Sequence, residues 1–160
     1  MLCISIAFAQ KPKDWNESAT IKGILNVEGA NAGLPIGLSH CIAYHESRFN
    51  PHARSRLVGN YRSCGLMQLF RKYIVSLVAT YSSHPATFDW SDPRDNAEVG
   101  CEYLAYLIHR FGDSVYLGVL AYNWGETNVS NMKSFDDVPK HCKKYADSVL
   151  AMLDQYEETW

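Results

Sequence analysis

The sequence predicts a mostly α protein, a single domain of six or seven helices with at most a minor hairpin. Apolar residues recur every three or four positions in most segments, which is the period of an amphipathic helix. The chain has 160 residues, which is long enough for one domain with its own hydrophobic core. Residues 54–64 are polar and irregular, and they indicate a loop or a small hairpin.

Two helices are predicted in the N-terminal third of the chain. Residues 16–28 form the first, and the small and polar residues 29–33 interrupt it. Pro35 suits the first turn of the second helix, which extends to about Arg48. Asn50-Pro51 ends this helix because the residue before a proline is pushed out of helical geometry.

The remaining helices are predicted in the second half of the chain. Gly65 begins a third helix, and residues 81–93, which contain two prolines, form the loop after it. Asp92 or Asp95 can cap the next helix by accepting hydrogen bonds from its first amides. The stretches expected to form the last helices are residues 92–112, residues 114–122 and the residues after Pro139.

Composition excludes several classes of function. The net charge is −2, and a nucleic-acid partner would normally require a basic surface. No apolar run approaches the roughly 18 residues that a membrane span requires. The cysteines and histidines show no spacing typical of a zinc site, so neither a metal nor a cofactor is expected.

The first residues of the chain resemble an export signal. Residues 1–9 are apolar and end in Ala7-Phe8-Ala9, a small-x-small pattern typical of signal peptidase sites. We therefore predict a short or truncated signal peptide at 1–9, followed by the domain at 10–160. The alternative is an ordinary apolar segment that packs on the domain.

The cysteine count agrees with export. Removal of Cys3 with a signal peptide leaves four cysteines, enough for two disulfides of undetermined pairing. The alternative is that these four are buried free thiols. They are Cys41, Cys64, Cys101 and Cys142.

Three short segments carry most of the functional information. In chain order they read Glu46-Ser47-Arg48-Phe49-Asn50-Pro51, then Gly65-Leu66-Met67-Gln68-Leu69, then Ala121-Tyr122-Asn123-Trp124-Gly125. Their first residues are 19 and then 56 positions apart. Together they resemble the signature of the lytic transglycosylases, enzymes of lysozyme-like fold that cut the glycan strands of bacterial peptidoglycan. The resemblance covers about residues 34–153.

Glu46 is the obvious acid in these segments. It leaves the last turn of a mainly apolar helix, where a partly dry cleft raises the pKa of a carboxyl group. A raised pKa suits a general acid that donates a proton to a glycosidic oxygen. Most glycosidases use two carboxyl groups, but none of the three segments contains a second one. A single acid agrees with the chemistry that the resemblance implies.

The resemblance implies the following roles. Glu46 protonates the leaving oxygen and then takes a proton from the muramyl 6-hydroxyl, which attacks the anomeric carbon. Ser47 contacts the substrate or the surroundings of the acid, Gln68 binds sugar and Met67 lines the cleft. Tyr122 and Asn123 orient the acid and bind near the cleavage site. Tyr145, in the sequence Lys-Lys-Tyr-Ala-Asp-Ser-Val, points into the cleft from a late helix.

The expected function is therefore cleavage of the β-1,4 bond between N-acetylmuramic acid and N-acetylglucosamine, with a 1,6-anhydromuramyl product. The alternatives are a hydrolase similar to goose-type lysozyme, or an inactive domain that binds glycan or scaffolds a secretion apparatus. The resemblance implies a periplasmic or secreted protein whose substrate is peptidoglycan. A secretion, pilus or conjugation apparatus is a further expected partner.

Overall fold

The computed structural model describes residues 11–156, and this range forms seven α-helices and a two-stranded antiparallel hairpin. This confirms the predicted mostly α architecture with a minor hairpin. The predicted signal peptide at 1–9 and Cys3 lie outside the described residues. The elements in chain order are α1 (Ala19–Asn31), α2 (Leu38–Ser47), β1 (Ser63–Cys64), β2 (Leu69–Phe70), α3 (Ile74–Tyr81), α4 (Pro93–Arg110), α5 (Val115–Trp124), α6 (Glu126–Asn131) and α7 (Lys140–Leu153).

Helix α4 is the centre of the packing. It lies against α1, α3 and α5, while α7 packs on α5 and α2. The largest fully buried side chains of α1, α2, α4, α5 and α7 form the main core, and α3 packs on a smaller second cluster around Leu69, Val78 and Val99. The main core includes Leu25, Leu38, Ile42, Leu104, Leu107, Leu120 and Val149. This core fixes α2 and α7 side by side, which matters because each contributes one residue to the site described below.

The boundaries of α1 differ from the prediction by three residues at each end. Ser18 caps the helix by accepting a hydrogen bond from the Ile21 amide at 3.2 Å, so the helix begins at Ala19. The predicted break at residues 29–33 was wrong, because the helix continues to Asn31. Gly29 is buried there against Ser39 of α2, and close packing of the two helices outweighs the low helical propensity of glycine.

The predicted helix from Gly65 was also wrong. Residues 65–68 form a turn that leads into β2, and α3 begins only at Ile74. Gly65 has φ +83° and Gln68 has φ 53°, so both residues have left-handed backbone geometry, which is incompatible with a right-handed α-helix at these positions. Leu66 in the turn and Leu69 in β2 are both buried, and their three-residue spacing imitates one face of a helix.

Helix α2 begins at Leu38 rather than at Pro35, and it ends at Ser47, just before Asn50-Pro51 as predicted. Of the two predicted caps for α4, Asp92 is the one used. Its carboxylate accepts hydrogen bonds from the amides of Arg94 and Asp95 at 2.8 and 3.2 Å.

The expected disulfides are absent from the described part of the chain. Cys41, Cys64, Cys101 and Cys142 are buried free thiols, so the alternative reading was correct and the export argument from paired cysteines was wrong. Burial raises the pKa of Cys41 to about 12, which keeps this thiol protonated and unreactive. These cysteines act as small apolar core residues.

Between residues 11 and 156, no helix is both long enough and apolar enough to cross a membrane.

Candidate active site

Glu46 lies in the last turn of α2, and a sharp change in the backbone follows it. Arg48 and Phe49 both have left-handed geometry, with φ of 53° and 62°. This geometry is unfavourable for residues other than glycine, so packing must hold it in place. Phe49 is buried against Trp15, with ring centroids 4.7 Å apart. The Arg48 side chain donates a hydrogen bond to the Tyr44 carbonyl at 2.6 Å. These contacts fix the end of the helix that carries Glu46.

The closest polar contact of Glu46 comes from α7. The Tyr145 hydroxyl donates a hydrogen bond to the Glu46 Oε1 atom at 2.5 Å. Burial raises the pKa of Glu46 to about 7, although the hydrogen bond from Tyr145 opposes this rise by stabilising the carboxylate. Near neutral pH the carboxyl group therefore exchanges readily between its acid and its base form, as a group must that donates and then accepts a proton.

A second tyrosine, Tyr122 of α5, completes the polar group around Glu46. Burial and the nearby Glu46 charge raise the pKa values of Tyr122 and Tyr145 well above the usual range, so both hydroxyls remain donors. The Tyr122 hydroxyl donates to the Met67 carbonyl at 2.8 Å. This bond ties α5 to the turn at residues 65–68.

The turn at 65–68 is held by Asn96, a fully buried residue of α4. Its side-chain oxygen accepts a hydrogen bond from the Met67 amide at 2.7 Å. Its side-chain nitrogen donates to the carbonyls of Cys64 at 3.2 Å and Trp90 at 3.1 Å. Only glycine fits at position 65, because φ is +83° and a Cβ atom there would lie 2.1 Å from the Asn96 amide nitrogen.

The structure places the predicted binding residues in different environments. Gln68 is half-buried, and its amide donates to the carbonyls of Gly65 at 2.9 Å and Ala53 at 3.1 Å. The Met67 side chain is fully buried, and its sulfur accepts a hydrogen bond from the Cys101 thiol at 3.7 Å. Met67 therefore reaches the site through its carbonyl oxygen and not through a pliable side chain on the cleft wall.

Two predicted residues, Ser47 and Asn123, form no side-chain hydrogen bond with Glu46 among the described residues. The Ser47 hydroxyl donates to the carbonyl of Ala43 in its own helix at 3.1 Å. Asn123 is exposed on α5, directly after Tyr122. Ser47 is partly exposed and Asn123 is exposed, so each can be reached from solvent beside a site residue.

Sequence reasoning missed three neighbours of this site. Asn96 of α4 positions the turn at 65–68 by accepting the Met67 hydrogen bond. Tyr103 packs on Tyr122 with ring centroids 5.8 Å apart. His45 meets Tyr145 edge-on at 5.7 Å, and burial lowers its pKa. Of the three, Asn96 lies close in the chain to the predicted helix cap at Asp92, and His45 directly precedes Glu46.

The described residues contain no cluster of three or more His, Cys, Asp or Glu side chains that could hold a metal ion. No carboxylate among them acts on the pKa of Glu46, which responds only to burial and to Tyr145. The arrangement can therefore perform acid–base chemistry through one carboxyl group, with tyrosine hydroxyls as donors.

The sequence of this chain matches the model of a known protein family. The family model described as the transglycosylase SLT domain matches residues 24–143, which include all three sequence segments. No curated protein is significantly similar to the chain.

Solved structures share the fold. The 70 kDa soluble lytic transglycosylase of Escherichia coli is 24% identical over 84% of this chain, with a TM-score of 0.68. A complex of the 70 kDa soluble lytic transglycosylase with bulgecin A is 21% identical over 84% of this chain, with a TM-score of 0.70. An inactive Glu-to-Gln mutant of the lytic transglycosylase Slt from Pseudomonas aeruginosa is 24% identical over 82%, with a TM-score of 0.67. The chain spans 23% of the length of each of these proteins.

Proposed function

The chain belongs to the transglycosylase SLT domain family, and from this premise we propose that it is a peptidoglycan lytic transglycosylase. The proposed reaction cleaves the β-1,4 bond between N-acetylmuramic acid and N-acetylglucosamine and leaves a 1,6-anhydromuramyl end. The observation that carries the proposal is Glu46, a partly buried carboxyl group with a pKa of about 7 and a Tyr145 hydroxyl at 2.5 Å. One of the matched proteins is inactive as a Glu-to-Gln mutant.

In the first step, Glu46 acts as a general acid. Its proton passes to the glycosidic oxygen while the bond from that oxygen to the anomeric carbon breaks. The N-acetyl group of the muramyl sugar assists in place of a protein nucleophile, because no second carboxylate among residues 11–156 acts on this site. Tyr145 then stabilises the newly formed carboxylate through its hydrogen bond.

In the second step, the Glu46 carboxylate acts as a general base. It takes the proton of the muramyl 6-hydroxyl while that oxygen bonds to the anomeric carbon. The residue returns to its acid form, and no water is consumed. A hydroxyl on the same sugar competes well with water because its effective concentration is high when the ring geometry is correct.

The remaining predicted residues are proposed to hold the glycan. Gln68, whose side chain is half-buried on the turn at 65–68, hydrogen-bonds sugar. Ser47 and Asn123 contact the substrate beside Glu46 and Tyr122, respectively. Met67 contributes by accepting the Tyr122 hydrogen bond at its carbonyl, which fixes that hydroxyl near the acid.

Location and partners follow from the proposed substrate. Peptidoglycan lies outside the cytoplasmic membrane, so a periplasmic or secreted protein is proposed. A secretion, pilus or conjugation apparatus, which must pass through the wall, is the proposed larger partner. Both statements rest on the family and its substrate.

Peptidoglycan zymography with the wild-type chain, Glu46→Gln and Glu102→Gln tests the proposal. Glu102 is a partly exposed acid on α4 and serves as the matched control. We expect clearing by the wild type and by Glu102→Gln, and none by Glu46→Gln. Equal clearing by Glu46→Gln would remove Glu46 from the mechanism. If the wild type binds peptidoglycan without clearing it, the inactive glycan-binding alternative is correct.

The hydrolytic alternative is distinguished by the product. A hydrolase similar to goose-type lysozyme uses water as the acceptor and leaves reducing muramyl ends. The proposed reaction leaves anhydro ends, and the two differ in mass by one water.

A further inference from the structure

The cationic and acidic residues of the chain are unevenly distributed. Residues 47–88 contain six Lys or Arg side chains and no Asp or Glu, although the whole chain has more acids than bases. This stretch includes the hairpin, α3 and an irregular loop that precedes β1. One region of a weakly acidic protein is therefore strongly positive, which the overall net charge conceals.

The loop before β1, residues 54–62, folds back on itself through isolated antiparallel bridges that pair Arg54 with Cys64 and Val58 with Tyr61, and we call it the finger. Its end is a tight turn in which the Val58 amide donates to the Tyr61 carbonyl at 2.7 Å, and the Tyr61 amide donates back at 3.2 Å. The apolar side chains at this end face solvent, since Leu57 is 58% exposed and Val58 is 68% exposed. A tip of this kind has no structural reason to be apolar, because nothing in the described chain covers it.

Arginines flank the apolar tip and lie close together. The Arg71 amide donates to the Arg62 carbonyl at 3.0 Å, and Ser55, the neighbour of Arg56, donates its amide to the Ser63 carbonyl at 3.0 Å. These hydrogen bonds place the backbone segments that carry Arg56, Arg62 and Arg71 next to one another. None of the three forms an ion pair with another described residue, although Arg48, Arg94 and Arg110 all do. Like charges on adjacent strands destabilise a hairpin unless an anion compensates them.

The apolar surface continues from the finger to the start of α3. The Tyr61 and Phe70 rings lie 6.2 Å apart, and Phe70 and Tyr73 lie 5.8 Å apart. Tyr73 is 53% exposed and Val75 is 79% exposed. Lys72 lies between the hairpin and these residues, with its Nζ atom 5.3 Å from the centre of the Tyr73 ring.

We propose that the finger and the start of α3 form a docking surface for an anionic lipid bilayer. Exposed aliphatic side chains enter the boundary between headgroups and acyl chains. Tyrosines are favoured at that boundary, and Lys and Arg side chains near it are attracted to anionic headgroups. The combination favours lipid over the wall polymer, because the carboxylates of peptidoglycan can pair with arginine but offer no apolar phase for Leu57, Val58 and Val75.

The surface is separate from the acid–base chemistry. Among the described residues, the side-chain hydrogen bonds and ring contacts of Glu46, Tyr145 and Tyr122 involve no residue of the finger. Docking would hold the enzyme at the membrane face of the wall while the site around Glu46 remains on other elements, α2, α5 and α7. Loss of binding and loss of cleavage are therefore expected from different substitutions.

Cosedimentation of the full chain with vesicles tests the proposal. The probes are vesicles of phosphatidylcholine alone and of phosphatidylcholine mixed with an equal amount of phosphatidylglycerol. The variants are Val58→Asp, the double variant Arg56→Gln with Arg62→Gln, and Glu46→Gln. The control is Ile36→Asp, which places a charge at a 71% exposed apolar residue outside the surface. Circular dichroism verifies that each variant is folded.

We expect the wild type, Ile36→Asp and Glu46→Gln to bind the mixed vesicles and not phosphatidylcholine alone. Each arginine removed should weaken binding about fivefold, and added salt should weaken it further. Absence of binding to the mixed vesicles, equal binding to both vesicle types, or unchanged binding by the finger variants would overturn the proposal. The wild type could instead fail to bind either vesicle type, while the finger variants bind purified peptidoglycan more weakly than the wild type does. In that case the surface docks on the wall and not on lipid.

Discussion

Replacing Glu46 with glutamine should stabilise the protein at alkaline pH, although it removes the proposed catalytic acid. The pKa of this carboxyl group rises from about 4.5 in the unfolded chain to about 7 in the folded one. The folded state therefore favours the protonated form. Its contribution to stability is complete below about pH 4.5 and is lost as the pH rises through about 7. Glutamine is isosteric with the protonated acid and carries no charge at any pH.

The size of the effect follows from the shift in pKa. Each unit corresponds to about 1.36 kcal/mol, so the cost of charging Glu46 in the folded protein is on the order of 3 kcal/mol. A protein of this size changes its melting temperature by about 2–4 °C for each kcal/mol. At about pH 8, Glu46→Gln should therefore melt on the order of 6–12 °C above the wild type. The difference should vanish near pH 4, where the wild-type carboxyl group is protonated in both states.

Thermal unfolding followed by circular dichroism over this pH range measures the difference directly. Glu102→Gln is the matched control, and its melting temperature should follow that of the wild type at every pH. The reasoning is refuted if Glu46→Gln is less stable than the wild type at alkaline pH, or if the two differ by a constant amount. Either result would mean that Glu46 is charged and well solvated in the folded protein.

Three further substitutions test the supporting contacts. Tyr145→Phe removes the donor that stabilises the Glu46 carboxylate, so the alkaline limb of kcat/KM should move up by about one pH unit; an unmoved limb would contradict the role of this bond. Asn96→Ala removes three hydrogen bonds, one from the Met67 amide and two to the carbonyls of Cys64 and Trp90, and should lower the free energy of unfolding by about 2–4 kcal/mol in urea titrations. The exposed Asn128→Ala is its control, and equal losses would refute the argument. Trp15→Ala should cost about 3–5 kcal/mol by the same titration, whereas a loss below about 1 kcal/mol would show that the segment before α1 is not part of the core.

Much of the architecture could be predicted because local signals and tertiary packing agree. Asn50-Pro51 indicated the end of α2, Asp92 indicated the start of α4, and the helical period of α4 agrees with its buried face. The position of Glu46 at a helix end followed from the same proline rule. In each case one short-range interaction determines the boundary, and such interactions can be recognised in a single sequence.

Other features could not be predicted because they depend on contacts between distant segments. The turn at Gly65 exists because Asn96, which lies 31 residues later, fills the space beside it. Helix α1 continues through Gly29 because Ser39 of α2 packs there. The burial of the Met67 side chain likewise depends on α4, where Cys101 contacts its sulfur. No local pattern in the sequence records any of these three contacts.

The state of the cysteines also depends on contacts between distant segments, and the sequence does not show it. An even number of cysteines behind an apolar leader is typical of exported disulfide proteins. The four described ones are nevertheless separate core residues, each buried as a free thiol. Counting gives the number of cysteines but not the distances between them, which decide whether a bond can form.

Mass spectrometry of the muropeptides released from purified peptidoglycan tests the central claim most directly. If Glu46 serves as both acid and base for an intramolecular attack, the released muramyl ends are anhydro forms, lighter than hydrated ends by one water. Reducing ends that take up labelled oxygen from water would contradict this account. The protein would then be a hydrolase, and a residue that positions the attacking water would have to exist beside Glu46.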